Sequence, residues 1–444
     1  MDFIANKERQ NREMLATLGI KSVEELFHAV PRDIIQSAPK GDDGLSEYDV
    51  LRLAEFIAAQ NTFPQYESYL GAGAYEHHVP ALVGAICSKS EFLTAYTPYQ
   101  AEMSQGSLQA IFEFQSVVCE LTGMDVANAS VYDGASACAE AILMALRLKS
   151  DRTKIAIAET LHPHYRAVVE QYLKNHAIEI VTIPCLAEGL VDLDALHSLL
   201  DDKTAAVLLQ SPNFLGTIED ASSAFAAAKE KGILSILCAN PLAYGLYSSA
   251  GDLGADIAVG DMQPFGLPLQ FGGPYVGYMA CREALVRQLP GRLVGETVDA
   301  KGRRGFVLTL QAREQHIRRD KATSNICTNQ ALAALASLVA VLWYGPVGIR
   351  KLALTNFQRA SYLRELLSNR PGLKVNTGVS IFNEFVVEVS RPLSEVYSHC
   401  RIHSIEPGLN LVKHYSSRSK QLLIAVTETK SIEQLDRFAE VLGG

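Results

Sequence analysis

A run of small, rigid and polar residues, Gly260-Asp261-Met262-Gln263-Pro264-Phe265-Gly266-Leu267-Pro268-Leu269-Gln270-Phe271-Gly272-Gly273-Pro274, separates two apolar stretches that read as strands. Loops at strand ends are where α/β proteins hold ligands. The same composition also makes an ordinary long turn. A second place for chemistry is Val131-Tyr132-Asp133-Gly134-Ala135-Ser136-Ala137, followed by strong helix formers from Cys138 to Leu148. A strand, a turn of small residues and a helix start would offer free N–H groups to an anion. The alternative is a plain capped helix, with Asp133 or Ser136 as the cap. A helix start contributes ~0.3–1 kcal/mol to an exposed anion. A carboxylate ~5 Å from a phosphate costs roughly 3 kcal/mol per unit charge at an effective dielectric near ~20. Unless Asp133 turns away, this turn repels a phosphate.

Other features carry less. Gly71-Ala72-Gly73 lacks the third glycine of a dinucleotide fingerprint, since position 76 is glutamate. His77-His78 and His162-Pro163-His164 have no carboxylate or cysteine at metal-ligand spacing, and read as surface or hydrogen-bonded histidines. Arg303-Arg304, Arg313 and Arg318-Arg319 form a basic stretch, expected as a solvated or subunit-contacting face with local ion pairs to Glu296, Asp299 and Glu314. The eight cysteines never fall in C-x-x-C spacing, and the apolar setting of residues such as Cys238 makes them small buried hydrophobes.

The elements that must position these groups follow from length and periodicity. A chain of 444 residues exceeds the ~250–300 at which single cores stop growing, which predicts one large domain plus a smaller one. Residues 1–60 look helical: Asn11 to Leu18 has helical spacing, Gly19 closes it, and Ser22-Val23-Glu24-Glu25 resembles a capping box. They predict an arm that wraps a partner. From about residue 130, apolar strands at Ile155–Ala158, Ile178–Ile183, Ala205–Leu209, Leu234–Cys238, Asp256–Val259 and Val276–Ala280 alternate with helices such as Pro163–Lys174, Leu193–Leu200 and Ala221–Lys231. Short, fully apolar strands joined by helices predict a mainly parallel sheet covered on both faces, in an α/β domain over 61–330. Residues 331–444 predict a smaller α/β domain: a buried helix, an amphipathic segment Gly348 to Leu367, and strands Glu384–Val389 and Leu422–Val426, each followed by a helix.

The net charge of −9 argues against a surface built to grip nucleic acid. The N-terminus has no basic region followed by an apolar one, and the apolar helix from Ala331 to Tyr344 is shorter than the ~18–20 residues of a bilayer span. A cytoplasmic protein is expected.

Several longer stretches are highly specific. They are Gly71 to Pro80, Tyr96-Thr97-Pro98-Tyr99-Gln100-Ala101-Glu102-Met103-Ser104-Gln105-Gly106, Gln210-Ser211-Pro212-Asn213-Phe214-Leu215-Gly216 and the Gly260 to Gly266 run. Pro290-Gly291-Arg292-Leu293-Val294-Gly295 and Arg318-Arg319-Asp320-Lys321-Ala322-Thr323-Ser324-Asn325-Ile326-Cys327-Thr328 complete the set. Together they resemble glycine dehydrogenase (decarboxylating), the P-protein of the glycine cleavage system, over nearly the whole chain. The length and Leu18-Gly19-Ile20 resemble the alpha subunit, subunit 1, of the two-chain bacterial form.

The resemblance implies a fold-type-I, PLP-dependent transferase-like architecture: a mainly parallel seven-stranded sheet in the large domain and a smaller C-terminal α/β domain. It implies an obligate partner, glycine dehydrogenase subunit 2. The complex would decarboxylate glycine on pyridoxal phosphate (PLP), release carbon dioxide and pass the aminomethyl group to the lipoyl arm of H-protein, the ring acting as electron sink. Such an enzyme needs a lysine to condense with the cofactor aldehyde. The matching position here is Gln263, whose amide is no nucleophile, and no lysine occurs between Lys231 and Lys301. Asn240 falls where an acidic partner of the pyridinium nitrogen is expected, and Asp133 stands at the phosphate turn. These departures predict a chain with no catalytic residue and no cofactor-binding residue of its own, the PLP being bound by the partner subunit. Residues that could reach the partner's site are Tyr96, Tyr99, Gln100, Glu102, Gln105, His77 and His78. Two other readings stay open: a free-standing PLP lyase or transferase using a lysine elsewhere, such as Lys301 or Lys321, and a pure assembly scaffold.

Overall fold

The computed structural model describes residues 7–34 and 44–444. The chain forms two compact units, Met1–Pro64 and Gln65–Gly444. In the first, a helix over Glu8–Leu18 ends on Gly19 at φ 69, a left-handed conformation that glycine takes without a Cβ clash. A helix over Glu47–Ala58 opens on Ser46, whose side chain accepts from the Asp49 N–H. The expected capping box at Ser22 is absent. Val23–Phe27 is a 3₁₀ turn without a side-chain cap bond, and five residues are too few to repay an α-helical nucleus. These short elements bury none of their own residues.

The second unit is built on a seven-stranded mixed sheet. In spatial order its strands are Val126–Ala127, Gly277–Cys281, Ile257–Asp261, Leu234–Cys238, Thr204–Gln210, Lys154–Ala158 and Glu179–Ile183. The last five are mutually parallel, while Gly277–Cys281 runs antiparallel to both of its neighbours. Every residue of Leu234–Cys238, Ile257–Asp261 and Gly277–Cys281 is buried, as a sheet covered on both faces requires. Helices Pro163–Leu173 and Ala221–Glu230 supply cover; Asp220 caps the second by accepting from the Ser223 N–H.

Two parts of this layer escape the periodicity reading. The two-residue strand Val126–Ala127 is too short to show a period. The antiparallel hairpin Leu293–Val298 with Arg304–Thr309 is half exposed and interrupted by Gly295, Glu296 and Gly305, so it has no apolar run. The strand expected at Val131 is only an isolated bridge to Gly277. Arg313, expected on a solvated face, is buried, with its guanidinium donating to the Leu310 and Gly291 carbonyls. Arg303 and Arg304 do pair with Asp299 and Glu296. Among the cysteines, Cys138, Cys238, Cys281 and Cys400 are buried, whereas Cys327 is exposed, because it lies in the extended segment after Lys321.

A four-stranded antiparallel sheet, in the order Leu373–Val375, Glu384–Val389, Gln421–Ala425 and Leu409–Asn410, carries helices Leu393–Ile402 and Ile432–Gly443. The helix Ala331–Ser368 ties the two sheets together. It is broken at Gly345, φ 59 and ψ 176, ahead of Pro346, whose ring disfavours helical geometry in the residue before it. Ala334, Leu338 and Ala340 pack in the large-sheet core, while Ala360, Leu363 and Leu367 pack in the small-sheet core. The whole helix is long and apolar enough to cross a membrane by length and composition, and 44% of its most apolar 18-residue window is buried inside the molecule.

Candidate functional site

The parallel strands end together at one edge, and Gln210, Cys238 and Asp261, the last residues of three of them, line a cleft there. This is the position where open α/β sheets take ligands. Its volume is about 30 Å³, room for about two waters.

Gln263 lies behind the cleft and is completely buried. Its Nε2 donates to the Tyr75 carbonyl at 2.8 Å and the Leu267 carbonyl at 3.0 Å, and its Oε1 accepts from the Tyr75 N–H at 2.9 Å. The amide thus pairs with both backbone groups of Tyr75, as a neighbouring strand would, and fixes the Gly71–Pro80 loop over the strand ends. A lysine has no acceptor with which to do this. Tyr75 is held at its other end by Glu384, which accepts from its hydroxyl at 2.6 Å. Burial pushes the Glu384 carboxyl up to about 7, against the donors Ala72 N–H and Tyr75 O–H.

The helix Gly134–Leu148 points its start at the same cleft, with the Gly134 and Ser136 N–H groups already taken by carboxylates. Asp133 accepts from the Ser136 N–H at 2.7 Å, so the capped-helix alternative is what the structure contains. Asp261 accepts from the Gly134 N–H at 3.1 Å and the Gln263 N–H at 2.9 Å. Burial raises Asp261 to about 7, with these two N–H donors opposing it. Tyr165 closes the approach, since its hydroxyl is 2.5 Å from where a Cβ on Gly134 would stand. His162 stacks on Tyr165 at 4.6 Å between centroids. Its Nε2 faces the Ala72 carbonyl at 2.8 Å and its Nδ1 accepts from the His164 N–H, the pattern of a neutral ring. Burial lowers its pKa to about 4.

Pyridoxal phosphate does not fit these residues. Two carboxylates occupy the helix start where its phosphate would lie, and no lysine lines the cleft. Asn240 caps its own turn, with Oδ1 accepting from the Leu242 N–H at 3.0 Å.

The family profile described as glycine cleavage system P-protein matches residues 1–442. The chain belongs to the glycine cleavage system P-protein family. It is 63% identical over 442 residues to the probable glycine dehydrogenase (decarboxylating) subunit 1 of Protochlamydia amoebophila, covering 99% of each chain. It is 48% identical to the protein of the same description from Desulfitobacterium hafniense, covering 100% of this chain and 99% of that one. A crystal structure of glycine decarboxylase (P-protein) in inhibitor-bound form superposes with a TM-score of 0.91 at 42% identity, over 100% of this chain and 99% of that one. The sphingosine-1-phosphate lyase of Burkholderia pseudomallei, 15% identical with a TM-score of 0.68 over 94% of this chain and 93% of its own, shares the fold alone. The fold is thus the α/β fold of type-I PLP enzymes.

Within this P-protein chain, the residues expected to reach a partner fall into two groups. The side chain of His77 is buried, with its Nδ1 2.8 Å from Glu428, and the His78 N–H donates to the same carboxylate. Burial pushes Glu428 up, but the hydrogen bond and charge of His77 bring it down to about 2. Tyr99 donates its hydroxyl to Asn329 at 2.9 Å and lies under the Arg292 guanidinium, 3.9 Å from its ring centre. Gln105 pairs with both backbone groups of Phe306 and so fastens the hairpin. Tyr96, Gln100 and Glu102 are exposed, Tyr96 at 92%. Asp261 lies within the Gly260–Pro274 run, whereas Glu384, Tyr165 and Asn383 belong to the cleft or its supports but carry no local signal. Glu384 and Asn383 come from the small sheet, over a hundred residues beyond the strands they serve.

Proposed function

We propose that this P-protein chain is the cofactor-free half of a two-chain glycine decarboxylase. Its partner is glycine dehydrogenase subunit 2, which holds the PLP near the interface. When bound there, PLP supplies the electron sink for decarboxylation of glycine, and the aminomethyl group passes to the lipoyl arm of H-protein. In this reading the chain presents the exposed loop between Tyr96 and Ser104 to the partner. The observation that carries the reading is Gln263, where the position matched to the cofactor lysine holds an amide with all its N–H groups engaged by backbone.

The reading is supported by the positions of the two alternative lysines. Lys301 lies in the exposed turn of the hairpin and Lys321 on an exposed 3₁₀ turn, and neither lines the cleft. A pure scaffold differs from the favoured reading in one respect, whether the exposed loop acts in the partner's site. Turnover of the reconstituted pair tests this. Tyr96→Ala is expected to lower glycine decarboxylation about tenfold, the scale of one lost transition-state contact of ~1.4 kcal/mol, with association unchanged. Unchanged turnover would favour the scaffold.

A further inference from the structure

A second cleft, about 140 Å³ in volume, opens between the loops that follow two strands of the large sheet and the face of the small sheet. A cavity of similar size, roughly 150 Å³, accommodates a six-atom ring. Its floor is apolar, from Leu215, Ile381 and Val386, the last on the same strand face as Glu388. Its charges come from both sides. Glu188 lies on the loop before Gly189. On the opposite side, Lys374 stands across from Glu388, and Glu388 from Gln421, in one cross-strand row of the antiparallel small sheet. Residues directly opposite on neighbouring strands project from the same face. Arg418 completes the set: its Nη1 donates to Gln421 Oε1 at 2.7 Å, and Gln421 Nε2 donates to Glu388 Oε2 at 3.2 Å.

The lining therefore holds two cations and two carboxylates and is neutral overall. Lys374 and Glu188 make no ion pair or side-chain hydrogen bond among the described residues. A lone anion or lone cation would meet repulsion from one of these pairs. A molecule carrying both charges on a few heavy atoms would satisfy both.

We infer that this cleft binds a small α-amino acid in its zwitterionic form, its carboxylate on Lys374 and Arg418 and its ammonium on Glu188 and Glu388. Calorimetric titration of the full 444-residue chain with glycine, in the absence of PLP and partner, tests the site. Saturable binding is expected. Propionate and ethylamine, each with one of the two charges, should bind about tenfold more weakly, as should glycine to Lys374→Gln and Glu188→Gln. Both substituted side chains are exposed, so the fold survives their loss. No saturable glycine binding overturns the inference. So does propionate binding as tightly as glycine, or glycine binding left unchanged in the Lys374→Gln/Glu188→Gln double variant. None of these outcomes touches the assignment of PLP to the partner, which rests on other residues.

Discussion

At residue scale, the Gln263 side chain is part of the backbone scaffold. Gln263 makes three hydrogen bonds with main-chain groups of Tyr75 and Leu267, each contributing about 1 kcal/mol net when buried. Gln263→Lys is expected to destabilise the chain by at least about 2 kcal/mol, read as a lower urea midpoint, because it leaves the Tyr75 N–H without an acceptor and buries an ammonium. The variant should still take up no cofactor. Asp261 offers a pH test. Its folded-state pKa is raised to about 7 from 3.8, so the protonated form is the one the fold favours. That contribution is fully present below pH ~4 and is lost as pH rises through ~7. The stability difference between wild type and Asp261→Asn should therefore move against the wild type from pH ~4 to ~7 and flatten above. Glu384, also raised, and His162, lowered, titrate in both proteins and cancel in the difference. A flat difference across this window would contradict the assignment of burial as the dominant influence on Asp261.

At the scale of elements, the helix Ala331–Ser368 shows how one residue fixes a geometry. Gly345 holds φ 59 and ψ 176, a combination nearly closed to residues with a Cβ, and a Cβ there would meet no atom within 4 Å. The cost of Gly345→Ala is then backbone strain alone, roughly 1–3 kcal/mol, measurable by urea unfolding. Asp133→Ala should cost about 1 kcal/mol through loss of the helix cap, while Asp133→Ser keeps most of it. The sequence makes the buried strands legible to within two residues, since Leu234–Cys238 and its neighbours are continuous apolar runs. It hides the Leu293–Thr309 hairpin, whose strands are half exposed and broken by glycine. Around the cleft, Gln263, Asn240 and Asp133 can be singled out in the sequence because each differs from the residue that the family resemblance leads one to expect there. Glu384 and Asn383 are not, because tertiary packing alone brings the small sheet to the strand ends. The intramolecular clamps on His77, Tyr99 and Gln105 are hidden for the same reason: their partners Glu428, Asn329 and Phe306 lie some two hundred residues or more away.

For the whole molecule, the proposed division of labour leaves the cofactor to the partner chain. This chain blocks its own cleft with Asp133, Asp261 and Tyr165 and keeps large apolar groups such as Tyr96, Met103 and Phe271 exposed. Exposed aromatic and methionine side chains are the residue types enriched at protein interfaces. Phe271, 99% exposed in the loop that leaves Gln263, is expected to contribute to assembly. Phe271→Asp should weaken association with subunit 2 about tenfold in a sedimentation titration, without shifting the melting of the isolated chain. Borohydride reduction of the reconstituted, PLP-loaded pair, followed by mass spectrometry of each chain, decides which chain holds the cofactor. A pyridoxyl adduct on one lysine of the partner and none on this chain is expected. An adduct on any lysine here, Lys301 and Lys321 included, would contradict the assignment of PLP to the partner.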